Sequence, residues 1–162
     1  WLKSNMDPYR MAARGILIGL IAFSGLVFAA PMNSSSVFFL GAFGIGLGGG
    51  LFAVATLTAA MTLNTTGAAG KGLALGAWGA AQATAAGASI FVGGAVRDLV
   101  NTAATSGGLG TALQSNATGY SVVYHIEIGL LFITLIVLGN LVKARPMSTS
   151  TATPTGLADF PT

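Results

Sequence analysis

Few side chains in this sequence could do chemistry. His125, Ile126 and Glu127 place an imidazole and a carboxyl two positions apart inside an apolar run. On a helix such residues project from nearly opposite faces, so the pair cannot chelate one ion. Each group is therefore read by itself. An ionisable side chain within a membrane span costs several kcal/mol unless it is paired or reaches the interface. Glu127 reads as an interfacial carboxylate, with Arg97 as its expected ion-pair partner, against proton coupling or partner binding. His125 reads as an interfacial imidazole beside Tyr120 and Tyr124, against a ligand to a metal or to a magnesium-centred pigment. Trp78 reads as an aromatic anchor at the interface, against a residue that stacks on a cofactor, and Arg97-Asp98 as a helix end held at the interface.

Glycine offers two further candidates, and both fail as nucleotide sites. Gly44, Gly46 and Gly49 spell G-x-G-x-x-G. A dinucleotide turn needs a strand before those glycines, an amphipathic helix after them and an acid about 20 residues on. No charge occurs from Val37 to Leu63, and the next acid is Asp98. Gly67 to Gly72 fails as a phosphate loop, because Thr65 stands where glycine is needed and Gly72 where a hydroxyl should hold magnesium. With one histidine, no cysteine and four acids, no nucleophile has a base beside it and no three-ligand metal set exists. The reading is of a chain that is not an enzyme, with no catalytic and no metal residues.

The elements that must position these groups are membrane helices. The chain is 53% hydrophobic and 7% charged, where soluble domains carry about 25% charged residues. A hydrocarbon core about 30 Å thick needs roughly 20 apolar residues per helical span. Four stretches qualify, at about 11–30, 37–63, 72–96 and 120–142, which predicts an all-α, polytopic membrane fold over residues 1–145. A polar linker runs from Asn101 to Gly119, and the tail 146–162 lacks the apolar content to fold and is expected to be disordered and cytoplasmic. Lys3, Arg10, Arg14, Lys71, Lys143 and Arg145 fall on one side of such a topology and Arg97 alone on the other, which puts both termini in the cytoplasm. The net charge of +3 is dispersed, so a nucleic-acid surface is not expected. The start at Trp1 rather than Met reads as a fragment of a longer polypeptide, or equally as removal of a preceding segment, and no signal peptide is recognisable.

Small residues four apart let membrane helices approach closely. Gly44 and Gly48, Gly46 and Gly50, and Gly72 and Gly76 have that spacing, and are expected to pack helices together or, where the glycine-rich span bends, to line a cavity.

The stretch GKGLALGAWGAAQATAAGASIFVGGAVRDLV, from Gly70 to Val100, resembles the PucC/LhaA family of light-harvesting assembly proteins. YRMAARGILIG from Tyr9, FGIGLGGGLF from Phe43 and YHIEIGLLFITLIVLG from Tyr124 fit it too, so the likeness covers about residues 9 to 145. That family is the bacteriochlorophyll-delivery branch of the major facilitator superfamily. The resemblance implies that the four spans are the ninth to twelfth of twelve helices, with the tenth facing a central cavity and the ninth and twelfth outside. It implies a chaperone-like role in antenna assembly in the intracytoplasmic photosynthetic (inner) membrane. The partners implied are lipid, antenna polypeptides and the reaction-centre complex, and the implied ligands are bacteriochlorophyll, carotenoid or lipid. The alternatives are a secondary transporter of a small solute, which needs both halves of such a fold around its site, and a structural subunit of a reaction-centre or antenna complex.

Overall fold

A computed structural model describes residues 7–62 and 67–144. Four helices follow one another, α1 (Pro8–Ala29), α2 (Ser35–Met61), α3 (Gly67–Thr105) and α4 (Ala117–Ala144), with one 3-10 turn at Thr111–Leu113. All four are long and apolar enough to cross a membrane, and no strand occurs among the described residues. The tail 146–162 lies outside the described residues, and Gly67 opens α3.

Local chemistry sets the helix starts. Asp7 caps α1 by accepting the Tyr9 N–H at 3.0 Å, and Pro8 stands at the first helical position, where its missing N–H is harmless. The Ser34 hydroxyl accepts the Val37 N–H at 3.4 Å and opens α2. Between them the chain reverses through Asn33 at φ 47°, a left-handed conformation that asparagine tolerates. The glycine-rich α2 then runs unbroken over 27 residues, because each amide keeps its partner one turn back in a medium that offers no other.

The third helix differs most from expectation. It runs nine residues past the predicted end at 96 and spans 39 residues in all, roughly 58 Å at about 1.5 Å per residue. Arg97-Asp98 thus lies within the helix. Threonine hydroxyls at Thr102 and Thr105 fold back onto the carbonyls of Asp98 and Asn101, so the polar sequence continues the helix. It breaks at Gly107 and Gly110, both at positive φ. The linker is accordingly shorter than Asn101 to Gly119.

The first helix sits at the centre, with α2 on one side and α4 on the other. Ala12, Ile16 and Leu20 are buried with Ala55 of α2 and Leu138 of α4. The closest approach is between backbones. A Cβ added to Gly15 would stand 2.7 Å from the Gly48 carbonyl oxygen, and one added to Gly48 would stand 2.7 Å from that of Gly15 and 3.0 Å from the Gly19 N–H nitrogen. Gly44 lies against the Ala22 methyl and Gly41 against Leu26. Leu131 of α4 fills the space beside Gly19. The third helix is the most exposed, with Leu73, Ile90 and Phe91 all more than 70% accessible.

Overpacking a close helix contact costs about 1–3 kcal/mol. Gly15→Val should therefore lower the unfolding free energy of the intact polypeptide in mild detergent by that amount, whereas Gly25→Ala, which meets no atom within 4 Å, should change it by less than about 0.5 kcal/mol. Equal stability of the two variants would refute the Gly15–Gly48 contact.

Candidate functional site

The polar side chains gather where α3 meets α4. The Arg97 guanidinium donates from Nε to Asp98 Oδ1 at 2.8 Å and from Nη1 to the Tyr120 hydroxyl at 2.9 Å. It also lies 5.2 Å from the centroid of the Tyr120 ring, a cation–π distance. One turn on, Asn101 Oδ1 accepts the Gly119 N–H at 3.0 Å. A Cβ on residue 119 would stand 2.5 Å from the Arg97 carbonyl oxygen, so only glycine lets α4 start there. The ion pair expected between Arg97 and Glu127 does not form. Both Arg97 contacts go to Asp98 and Tyr120, because α3 continues past Arg97 and carries it to the start of α4, about two helical turns from Glu127.

Glu127 makes no hydrogen bond or ion pair with any described residue. It is half-buried. Glu127, Leu131 and Thr134 stand at i, i+4 and i+7, hence on one face of α4. Leu131 and Thr134 line a cavity of about 230 Å³ whose floor is Gly15, Gly19, Gly48 and Gly49. The carboxyl therefore shares a face with a glycine-floored apolar groove.

His125 is exposed on the other side of α4. Its Nδ1 lies 2.7 Å from the Ser121 carbonyl oxygen. A carbonyl only accepts, so Nδ1 carries the proton and donates it. In the neutral ring that leaves Nε2 with a free lone pair. The neighbouring Tyr124 packs inward, 5.9 Å from the Phe23 ring and 6.3 Å from Tyr120. Tyr120 and Tyr124 wall two cavities. One, about 420 Å³, opens between the α1–α2 turn and the start of α4. The other, about 290 Å³, lies between Arg97, Gly93 and Val123.

Trp78 is tied inward. Its indole N–H donates to the Thr56 hydroxyl of α2 at 3.2 Å, while that hydroxyl donates to the Phe52 carbonyl at 2.9 Å. Of the glycines singled out, Gly44 and Gly48 pack against α1, whereas Gly46, Gly50, Gly72 and Gly76 meet nothing within 4 Å. Their face of the bundle is open. The sequence reading passes over Gly15 and Gly19, although they carry the same four-residue spacing. It also passes over Asn101, whose role depends on Gly119 arriving beside it. No three His, Cys, Asp or Glu side chains cluster to hold a metal ion among the described residues.

The chain matches the PUCC protein family over residues 1–146. It belongs to that family. A relative from Rhodobacter capsulatus named as an uncharacterized protein in the puhA-bchM intergenic region is 56% identical over 99% of this chain and 34% of its own length. Protein PucC of Cereibacter sphaeroides is 41% identical over 89% of the chain and 31% of its own length. Protein PucC of Rhodobacter capsulatus is 43% identical over 88% and 30%. The PUCC-family chain thus spans about a third of the length of these curated relatives. No solved structure matches it.

Hydrogen bonds between membrane helices couple at about 0.6 kcal/mol on average in double-mutant cycles. A cycle of Trp78→Phe and Thr56→Val, read by unfolding in detergent, should give a coupling of about 0.5–1 kcal/mol. Strict additivity would mean that Trp78 does not hold α3 to α2.

Proposed function

We propose that this chain is the last third of a twelve-helix factor for assembling bacterial light-harvesting antenna complexes, which binds or hands over bacteriochlorophyll or antenna polypeptides in the photosynthetic membrane. The observation that carries this reading is the identity along nearly the whole chain to a relative whose printed name sets it between puhA and bchM. The physical features support it. Catalysis would need clustered reactive groups, whereas escort of an apolar helix or pigment needs apolar surface within the bilayer. The accessible faces of α3 and α4 offer Ile90, Phe91, Phe132 and Ile136. The glycine-floored groove adds a small apolar recess between α1, α2 and α4.

Bacteriochlorophyll is a macrocycle that already holds its magnesium and leaves an axial position for a base. The side chains present fit that requirement through His125, whose Nδ1 is taken up by the Ser121 carbonyl, which in the neutral ring leaves the Nε2 lone pair for such a base position. Arg97, Asp98 and Tyr120 instead bind one another and hold α3 against α4.

Mild-detergent purification of the intact polypeptide from photosynthetic cells should recover bacteriochlorophyll or antenna polypeptides at substoichiometric levels. Absence of both would overturn the assembly reading, and stoichiometric reaction centre would favour a structural subunit instead. Both termini are assigned to the cytoplasm, with the α3–α4 linker outside. A cysteine introduced at Asn116 should therefore react with an impermeant maleimide added to intact spheroplasts, and one introduced at Lys71 should not. The reverse pattern would invert the topology.

A further inference from the structure

We propose that His125 Nε2 is an axial ligand for the metal of a tetrapyrrole seated on the outer face of α4. The inference rests on the assembly reading above and adds the ligating atom and its face.

Two observations carry it. The first is the fixed tautomer. The Nδ1–H bond to the Ser121 carbonyl, 2.7 Å long, orients the ring and leaves Nε2 as a lone pair directed away from the helix that holds it. A donating Nδ1 is also the arrangement that raises the basicity of the other ring nitrogen toward a metal. In the neutral ring that lone pair is the one a metal would take. The second is what surrounds that nitrogen. His125, Gly129, Phe132 and Ile136 stand at i, i+4, i+7 and i+11 and form one stripe of α4. A Cβ on Gly129 would meet nothing within 4 Å, and Phe132 and Ile136 are 53% and 65% accessible. Ser121, one turn the other way, is also small. An imidazole is thus flanked by small residues one turn above and below, with apolar side chains further along the same face.

The chemistry selects the occupant. A bare metal ion needs three or four protein donors, and no other His, Cys, Asp or Glu joins His125 in a metal-binding group among the described residues. Glu127, two positions on, projects from nearly the opposite face. A single imidazole suffices only where a macrocycle already supplies four donors and one axial position remains. The flat ring then needs clearance along the helix, which Ser121 and Gly129 leave, and an apolar surface, which Phe132 and Ile136 provide.

The test titrates the intact polypeptide, purified in mild detergent, with zinc protoporphyrin IX dimethyl ester, which is four-coordinate in detergent alone. Wild type should shift the Soret band to the red and give five-coordinate resonance Raman markers. His125→Leu should lose both and bind at least about tenfold more weakly, while Glu127→Gln retains them. Free imidazole added to His125→Gly should restore the five-coordinate spectrum, which a general loss of folding would not allow. An unaltered spectrum in His125→Leu, or failure of imidazole to rescue His125→Gly, overturns the assignment. So does the absence of any shift in wild type. The assembly reading falls separately, only if neither pigment nor antenna polypeptide accompanies the protein from cells.

Discussion

The contact between Gly15 of α1 and Gly48 of α2 is the constraint around which the bundle is arranged. Each glycine lies so close to the other's carbonyl that a Cβ on either would stand 2.7 Å from it. Lipid tails are as apolar as leucine, so burying apolar side chains between helices gains little in a membrane, and dispersion across a tight seam must supply the attraction. Closeness here requires missing side chains. Gly41, Gly44, Gly48 and Ala55 line the α2 side of that seam, and Ala12, Gly15, Gly19 and Ala22 the α1 side.

Once α1 and α2 are joined, the rest follows by occupation of space and by a few polar ties. Gly19 opens a notch that Leu131 of α4 fills, and Phe23 meets Tyr124 near the linker end. The third helix lacks such a seam. It is held by Trp78 to Thr56 at one end and by Arg97 to Tyr120 and Asn101 to Gly119 at the other. Its middle and outer faces remain accessible. In the longer relatives about two thirds of the length lies outside the part this chain matches.

Legibility in the sequence tracked the range of the interaction responsible. Composition and run length revealed four spanning helices, because partitioning into hydrocarbon depends on each segment alone. The Gly44–Gly48 spacing was readable for the same reason. The end of α3 was not, since polar residues after Arg97 look like a linker until Asn101 is seen to serve Gly119 across the helix pair. The expected pairing of Arg97 with Glu127 failed with it, as the longer helix carries Arg97 beyond that carboxyl's reach. Trp78 read as an interfacial anchor, and its indole N–H proved to serve Thr56, 22 positions earlier in the chain.

For the functional groups the division is similar. The sequence by itself determined that this is an all-helical membrane chain with one imidazole, one carboxyl within its last span and no reactive cluster, because composition and helical periodicity are local properties. It also carried the resemblance that the PUCC family match bears out. Only the tertiary structure decided which of three glycine pairs touches a neighbour and which face of α4 is occupied. Both depend on where other helices sit, which is not written in the spacing of residues along one chain segment.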